Sequence, residues 1–405
     1  MGKVSLRHRL SASQAGALIG NVLNHYDSSL FGWMAPFLAP ILFPGKEGME
    51  ALFLIFALLP LRVLAKPLGA LFWGWVGDRW GRKPALINSL IGMALSTSAM
   101  GCLPLTQNAW IVLAFCRLFQ GFFAAGEEKG AALYLLEHTA LEKRPWMSAL
   151  YDASGILGIF LASALASQFG ENHWRLLFWL GAAAGLFGLF FRYHAEESPE
   201  FKPAPFSWKI LWENKHLIFR ISIVSGFSYA NYFLVTVFLN GFLPKITDLS
   251  RADVLLFNTH LLWIDFFLLL GFGFLCRWIS QEKLMATAAL LTAFFAIPLF
   301  ASLDNASWGH AAMVRLLFVT FGVALAAPYH AWKLEHLPTH HRFLIGSLAS
   351  TFGSKFFGAP MPAVATFLVV QTGLTWTAAL PLVILGVSTA GVLLLKPLAR
   401  KQEVR

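Results

Sequence analysis

The sequence predicts an all-α membrane protein of twelve transmembrane helices in two six-helix halves. Three observations predict it. Hydrophobic residues make up 57% of the chain and charged residues only 13%, with 15 Trp and 38 Phe, whereas about a quarter of a soluble protein is charged. Apolar stretches of the roughly 20 residues that a bilayer crossing needs recur about twelve times, with short connections. Lys and Arg gather on alternate connections, as the positive-inside rule requires.

The first half is expected to hold spans at about 14–41, 49–75, 84–104, 109–136, 146–169 and 173–192, forming a bundle over 1–192. A cytoplasmic linker follows at 193–216. The second half, 217–405, is expected to hold spans at about 217–243, 253–279, 283–303, 308–332, 343–371 and 374–397. Lys3, Arg7, Arg9, Arg79, Arg82, Lys83, Lys143, Arg144, Arg192, Lys202, Lys209, Lys215, Arg220, Arg277, Lys283, Lys333, Arg342, Lys396, Arg400, Lys401 and Arg405 fall on one side. Only Lys46, Arg175, Lys245 and Arg251 stand out on the other. Both termini are therefore expected in the cytoplasm, and the net charge of +10 reports topology rather than a nucleic-acid partner.

Other classes find no support. The first apolar segment is too long for a signal peptide and carries Asp27, and Leu6 breaks the myristoylation pattern. Cys102, Cys116 and Cys276 lie in or beside apolar spans and read as packing residues, with no metal-ligand spacing. No phosphate-binding glycine loop or nucleophile motif is present, so neither an ATP-driven pump nor an enzyme is expected, and no cofactor.

Ionisable residues inside spans are costly and usually face a bundle interior or a wet cavity. Spans 3, 6, 9 and 12 have none in their central portions. The others carry Asp27, Arg62, Lys66, Arg117, Glu127, Glu128, Lys129, Asp152, Asp265, Arg315 and Lys355. At about 1.5 Å rise per residue, Asp27, Arg62, Asp265 and Lys355 fall near mid-span and Arg117 about a turn away.

The stretch Gly69–Lys83 reads G-A-L-F-W-G-W-V-G-D-R-W-G-R-K. Gly74, Gly77 and Gly81 permit a tight turn, Asp78 can cap the helix that follows, and Arg79, Arg82 and Lys83 mark a cytoplasmic loop. This pattern resembles the loop between helices 2 and 3 of the major facilitator superfamily. Gly20-Asn21-Val22-Leu23-Asn24-His25-Tyr26-Asp27, Arg117-Leu118-Phe119-Gln120-Gly121, Glu196-Glu197-Ser198-Pro199-Glu200-Phe201 and Phe357-Gly358-Ala359-Pro360-Met361-Pro362 resemble its metabolite–proton symporter branch. That branch includes proline/betaine, α-ketoglutarate, citrate and shikimate symporters. The resemblance covers nearly the whole chain and is weakest from about 220 to 330.

It implies that helices 1, 4, 7 and 10 line a central cavity while 3, 6, 9 and 12 face lipid, matching the three-helix charge period. It also implies that the loop after helix 2 contacts the start of helix 11, where Asp78 would meet a positive helix end, and that Gly74, Gly77, Asp78, Arg79, Gly81, Arg82 and Lys83 gate the cytoplasmic side, with Asp78 and Arg79 stabilising its closed form. The chain departs from the branch at Asn24 and His25 (commonly Glu and Trp), Lys66 (commonly Arg), and Glu128 and Lys129 (commonly Trp and Gly). With no heptad pattern in the residues after span 12, osmotic gating by a coiled coil is not expected. A substrate is therefore not inherited from any one relative.

Roles follow from physical need. Asp27 is the first candidate proton carrier, with Glu127 and Glu128 next. Arg117 suits a substrate carboxylate by its planar fork, or pairs with Asp27. Arg62, Lys66 and Lys355 attract an anionic group, and Asn24, Tyr26, Tyr229 and Asp265 complete the expected binding set. His25, His260 and His330 are intramembrane and titrate near neutrality. His336, His340 and His341 read as a solvated loop cluster.

The function expected is proton-coupled uptake of a small polar metabolite, a carboxylate or a zwitterion such as an amino acid or betaine. The chain is expected to act as a monomer in the inner membrane, with protons or sodium and the lipid bilayer as its other partners. Proton-antiport export, or a transporter-derived receptor or scaffold, are the alternatives.

Overall fold

The computed structural model describes residues 10–43, 45–46, 48–104, 106 and 108–394. Both termini lie outside the described residues, including Lys3, Arg7, Arg9, Lys396, Arg400, Lys401 and Arg405.

Every described element is helical, with no strand among the described residues. Among the described residues, ten helices are long and apolar enough to cross a membrane. Two more, Ala12–Leu42 and Arg82–Gly101, have the length but are more polar. The first carries Asn21, Asn24, His25 and Asp27, and the second carries Arg82, Lys83, Asn88, Ser89, Ser96 and Thr97. Together they complete the expected set. In chain order we name them α1 (Ala12–Leu42), α2 (Leu54–Arg79), α3 (Arg82–Gly101), α4 (Ala109–Glu137), α5 (Leu141–Phe169), α6 (His173–Tyr193), α7 (Lys215–Ile246), α8 (Asp253–Leu275), α9 (Gln281–Ala301), α10 (Trp308–His336), α11 (Thr339–Thr372) and α12 (Thr375–Leu394).

Local sequence sets the helix ends. Ser11 and Gln14 form a reciprocal capping box at the start of α1. Ser250 and Ser307 accept backbone N–H groups at the starts of α8 and α10. Gly373, at φ +71°, ends α11. α5 runs into α6 with non-helical angles at His173. π turns interrupt α7 at Leu234–Phe238 and α11 at Gly353–Gly358.

The chain divides into two compact units. Unit 1 comprises Met1–Ala140, Ser154–Pro205 and Thr339–Leu344; unit 2 comprises Leu141–Ala153, Phe206–Pro338 and Ile345–Arg405. In unit 1, α2 packs most extensively on α4. A β-carbon at Gly69 would strike the Phe122 carbonyl, and one at Gly121 the Arg62 carbonyl. These glycines therefore allow the close backbone approach that small residues provide in membranes. Leu30, Phe31, Met34, Leu38, Met100, Leu113 and Phe178 fill an apolar core beside them. In unit 2, α9 packs on α12, α8 on α10, and α7 on the π turn of α11. Ser222 and Ser225 donate to the Ala349 and Ser350 carbonyls at 2.9 and 3.1 Å, tying α7 to α11.

Candidate substrate-binding and coupling site

The loop after α2 is fixed by groups distant in sequence. Gly81 adopts φ +115°, and a β-carbon there would strike Glu197. Glu197 accepts the backbone N–H of Arg82 at 3.0 Å and of Lys83 at 3.1 Å, and so caps α3. The sequence pointed to Asp78 for this cap. Asp78 instead sits in the last turn of α2 and accepts the N–H groups of Phe343 and Leu344 at 3.1 and 2.8 Å, at the start of α11. Orphan N–H groups and the helix dipole both favour a carboxylate there. The glycine expectation is likewise corrected. Among the three, only Gly81 has a positive φ. Gly74 and Gly77 are helical, and their bare faces admit the Leu344 backbone and the Phe343 ring.

Arg82 is fully buried. Its Nη1 donates to the Gly77 carbonyl at 2.8 Å and Asp78 Oδ1 at 2.9 Å, its Nε to Glu137 at 3.3 Å, and its Nη2 to the Thr339 carbonyl at 3.4 Å. Glu137 also accepts from Arg342 Nη1 at 3.1 Å and Ser198 Oγ at 2.5 Å, and Arg342 reaches Glu200 at 2.5 Å. The Glu196–Phe201 motif thus locks this loop network. Lys83 Nζ donates to the Tyr193 carbonyl at 2.8 Å. Arg79, expected to share the gating role, is exposed and makes no hydrogen bond or ion pair among the described residues.

The intramembrane charges of unit 1 form a second cluster. Asp27 is buried; its Oδ2 accepts from Thr97 Oγ1 at 2.8 Å, and its Oδ1 has no hydrogen-bond partner. Thr97 Oγ1 accepts from Gln120 Nε2 at 3.0 Å, and Gln120 Oε1 accepts from Arg117 Nη1 at 2.8 Å. Asp27 and Arg117 are therefore joined through Thr97 and Gln120 rather than by direct contact. Arg117 stacks on the Phe31 ring at 4.3 Å. Arg62 donates to Asn24 Oδ1 at 3.1 Å. The Nε and Nη1 of Arg62 and the Nε of Arg117 are buried donors with no acceptor. Lys66 and Lys129 each bind one oxygen of Glu128, both at 2.6 Å.

Two expected residues have partners outside this cluster. Glu127 is buried and held by both nitrogens of the Arg192 fork, Nη1 at 2.7 Å. Both Glu127 oxygens thus accept from Arg192, whereas Asp27 accepts through Oδ2 alone. Tyr26 donates its hydroxyl to the Leu177 carbonyl at 2.9 Å, so its polar end serves packing between α1 and α6.

In unit 2, Asp265 is half-buried and makes no ion pair among the described residues; Asp152 and Tyr232 lie within electrostatic reach of it. Asp152 contacts His330 Nε2 at 3.1 Å. Lys355, on the π turn of α11, stands 5.9 Å from the Tyr229 ring centre. Arg315 is an anchor: its Nη2 donates to Asn240 at 2.8 Å, Asn258 at 2.6 Å and the Val235 carbonyl at 3.1 Å.

Sequence reasoning missed Thr97, Gln120 and Arg192. Gln120 stood inside the Arg117–Gly121 motif, and that was its signal. Thr97 sits on a span read as free of charge, and Arg192 was counted as a solvated topology marker.

The sequence pattern of the Major Facilitator Superfamily matches residues 17–362. A Staphylococcus aureus (strain COL) chain whose name assigns it to proline/betaine transport is 29% identical over 383 residues, covering 88% of this chain and 81% of that one. The glycine betaine/proline/ectoine/pipecolic acid transporter OusA of Dickeya dadantii (strain 3937) is 25% identical over 393 residues, with 89% and 78% covered. Among solved structures, the proton:xylose symporter XylE superposes with a TM-score of 0.71 at 15% identity, over 94% of each chain. A bacterial homologue of the iron transporter ferroportin, in an outward-facing state, gives 0.74 at 13% identity, over 94% of this chain and 99% of that one.

Proposed function

The chain belongs to the Major Facilitator Superfamily, and from that membership we propose that it is a proton-coupled symporter that takes up a small carboxylate-bearing metabolite. One observation carries the reading. Buried guanidinium donors of Arg62 and Arg117 without acceptors stand in the same cluster as Asp27, whose Oδ1 is buried and unpartnered. Unsatisfied buried donors cost free energy that an incoming carboxylate recovers. Asp27 supplies the group that can carry a proton, and Thr97 and Gln120 relay its state to Arg117. Relatives named for proline and betaine transport support a solute of this size and polarity.

The halves 1–192 and 217–405, joined by 193–216, act as the two bodies of alternating access, with both termini in the cytoplasm of the inner membrane. The protein works as a monomer. Asp78 stabilises the state in which the first turn of α11 is docked on α2.

Purified protein in proteoliposomes tests the reading. Counterflow of labelled proline, glycine betaine and small carboxylates identifies exchange, and an imposed pH gradient drives accumulation. Asp27→Asn mimics the protonated form, so it should keep exchange, lose accumulation and lose pH dependence. Normal accumulation by Asp27→Asn removes Asp27 from coupling and moves the role to Glu128. Failure of every solute to exchange in a folded preparation overturns transport itself. Replacing the pH gradient by a sodium gradient separates the two coupling ions.

A further inference from the structure

We infer that the groove between α2, α3 and α4 is a binding site for one anionic glycerophospholipid, with its phosphate on Arg79, an ester carbonyl on Trp73 and an acyl chain along α3. The inference is independent of the solute and of the coupling ion.

The groove has a volume of about 640 Å³, within the range of ligand pockets. Phe72, Trp73 and Trp80 of α2, Ile91 and Leu95 of α3, and Phe122 of α4 bound it. Ile91 and Leu95 are exposed, so this side opens to the bilayer. Two missing side chains shape the floor. A β-carbon at Gly126 would strike the Trp73 ring, and one at Gly92 the Phe123 ring. The rings of Trp73, Phe122 and Phe123 therefore interlock, with centres 6.0, 5.8 and 5.4 Å apart. Rings seated in this way keep the concavity open.

Two polar groups on α2 select the occupant. Trp73 is 5% exposed, and its Nε1–H is buried without an acceptor among the described residues. An indole nitrogen is a donor only, and buried ones ordinarily find a partner. Hydrocarbon offers none, whereas a lipid ester carbonyl does. Arg79 lies about 9 Å further along the axis toward the loop, on the stripe of Phe72, Val76 and Trp80. It is exposed and makes no hydrogen bond or ion pair among the described residues. Trp75 and Trp80, with ring centres 4.8 Å apart, mark this end as the membrane interface. The polar layer of a leaflet is about 5–8 Å deep. A lipid whose phosphate meets Arg79 thus brings its ester carbonyls toward the depth of Trp73. Its chain continues along α3 to Leu95, about 16 Å from Pro84.

Charge decides the headgroup. No residue lining the groove is acidic. Asp78, next to Arg79 in sequence, is turned to Arg82 and the start of α11. The ammonium of a zwitterionic lipid therefore meets no carboxylate and is repelled by the guanidinium. A net-negative headgroup is attracted by Arg79. Asn88 donates to the Pro84 carbonyl at 2.8 Å and keeps its own side-chain oxygen for a headgroup hydroxyl.

Native mass spectrometry of the purified chain tests the inference, with phosphatidylglycerol or phosphatidylcholine of identical acyl chains added at equal concentration. One phosphatidylglycerol should bind about tenfold or more tighter than phosphatidylcholine, and should raise the thermal transition. Arg79→Gln should bring the two lipids to within about twofold of each other, and Arg79→Lys should restore the preference. Trp73→Phe keeps a ring and drops the donor, and should weaken phosphatidylglycerol by about fivefold, the worth of one hydrogen bond. Leu95→Trp fills the groove from its exposed side and should abolish retention at a native lipid-free transition, which separates loss of lipid from loss of fold. Equal binding of the two lipids by the native chain overturns the anionic assignment. Phosphatidylglycerol binding that is indifferent to both Arg79→Gln and Leu95→Trp overturns the site. Should Trp73→Phe or Leu95→Trp lower the lipid-free transition, Arg79→Gln decides alone, and an unchanged preference there overturns the inference.

Discussion

Replacing Asp78 by Asn keeps the side-chain shape but removes the charge and one of the two acceptor oxygens. In the native protein, Oδ1 takes the Phe343 N–H at 3.1 Å and Oδ2 takes the Leu344 N–H at 2.8 Å, while Arg82 donates to Oδ1 at 2.9 Å. The amide can serve one of the two N–H groups. The other is left buried and unsatisfied, at about 1–3 kcal/mol. The retained bond falls from charge-assisted to neutral, at roughly 1 kcal/mol more. Arg82 keeps Glu137 and the Gly77 carbonyl, so its charge is not orphaned. The docked first turn of α11 should thus weaken by about 2–4 kcal/mol, or roughly 30- to 1000-fold in its equilibrium. Hydrogen exchange by mass spectrometry on peptides spanning 343–344 measures this directly, since protection there tracks local opening. Counterflow should slow, while solute binding measured by thermal shift stays near native. Native protection at 343–344 in Asp78→Asn refutes the argument. Equal loss of binding and transport, with a lowered global transition, shows that Asp78 serves folding alone.

Glu127→Gln should cost about 3–5 kcal/mol by leaving the buried Arg192 without its carboxylate, read as a lowered thermal transition in detergent. A native transition would mean the pair is dispensable. Gly81→Ala forces a β-carbon into the Glu197 site at φ +115°, and should cost more than 1 kcal/mol and lower the transition, with faster exchange at the start of α3. Unchanged stability would show that Glu197 is not the cap. Arg117→Lys keeps charge but loses the fork and the Gln120 link. A large loss of solute affinity at an unchanged pH profile supports direct carboxylate binding, whereas a shifted pH profile at normal affinity supports a partnership with Asp27.

The helices were legible because a bilayer leaves the chain few alternatives: every backbone group must be satisfied within its own span. The structure accordingly holds α4 at Ala109–Glu137, where the sequence implied about 109–136. Charge placement was equally legible, since cost alone singles out Asp27, Arg62 and Arg117. Which charge meets which was not. Pairing depends on helix rotation and approach, and nothing local distinguishes Glu127, clamped by Arg192, from its neighbour Glu128, held by two lysines. Hydroxyls escaped for a related reason. Thr97 costs little to bury, so it leaves no trace in a charge count, yet it joins Asp27 to Gln120. Asp78 misled because its spacing fits a local cap, while Gly81 steers α3 onto Glu197.

The two π turns bear on how this chain tolerates changes of length. A π turn holds more residues than the α turn it replaces, and each residue of α-helix advances the face by about 100°. Removing one residue within 353–358 lets that turn relax to α, and Met361–Thr372 keep their orientation. The turn at Leu234–Phe238 gives α7 the same slack. α2 and α4 have none: one residue lost before Arg62 or Arg117 swings the guanidinium off its face and breaks the phase between Arg62 and Gly121. Single-residue deletions are therefore absorbed in α7 and α11 and ruinous in α2 and α4, and a scan of deletions through the four helices would read out that difference as surviving protein.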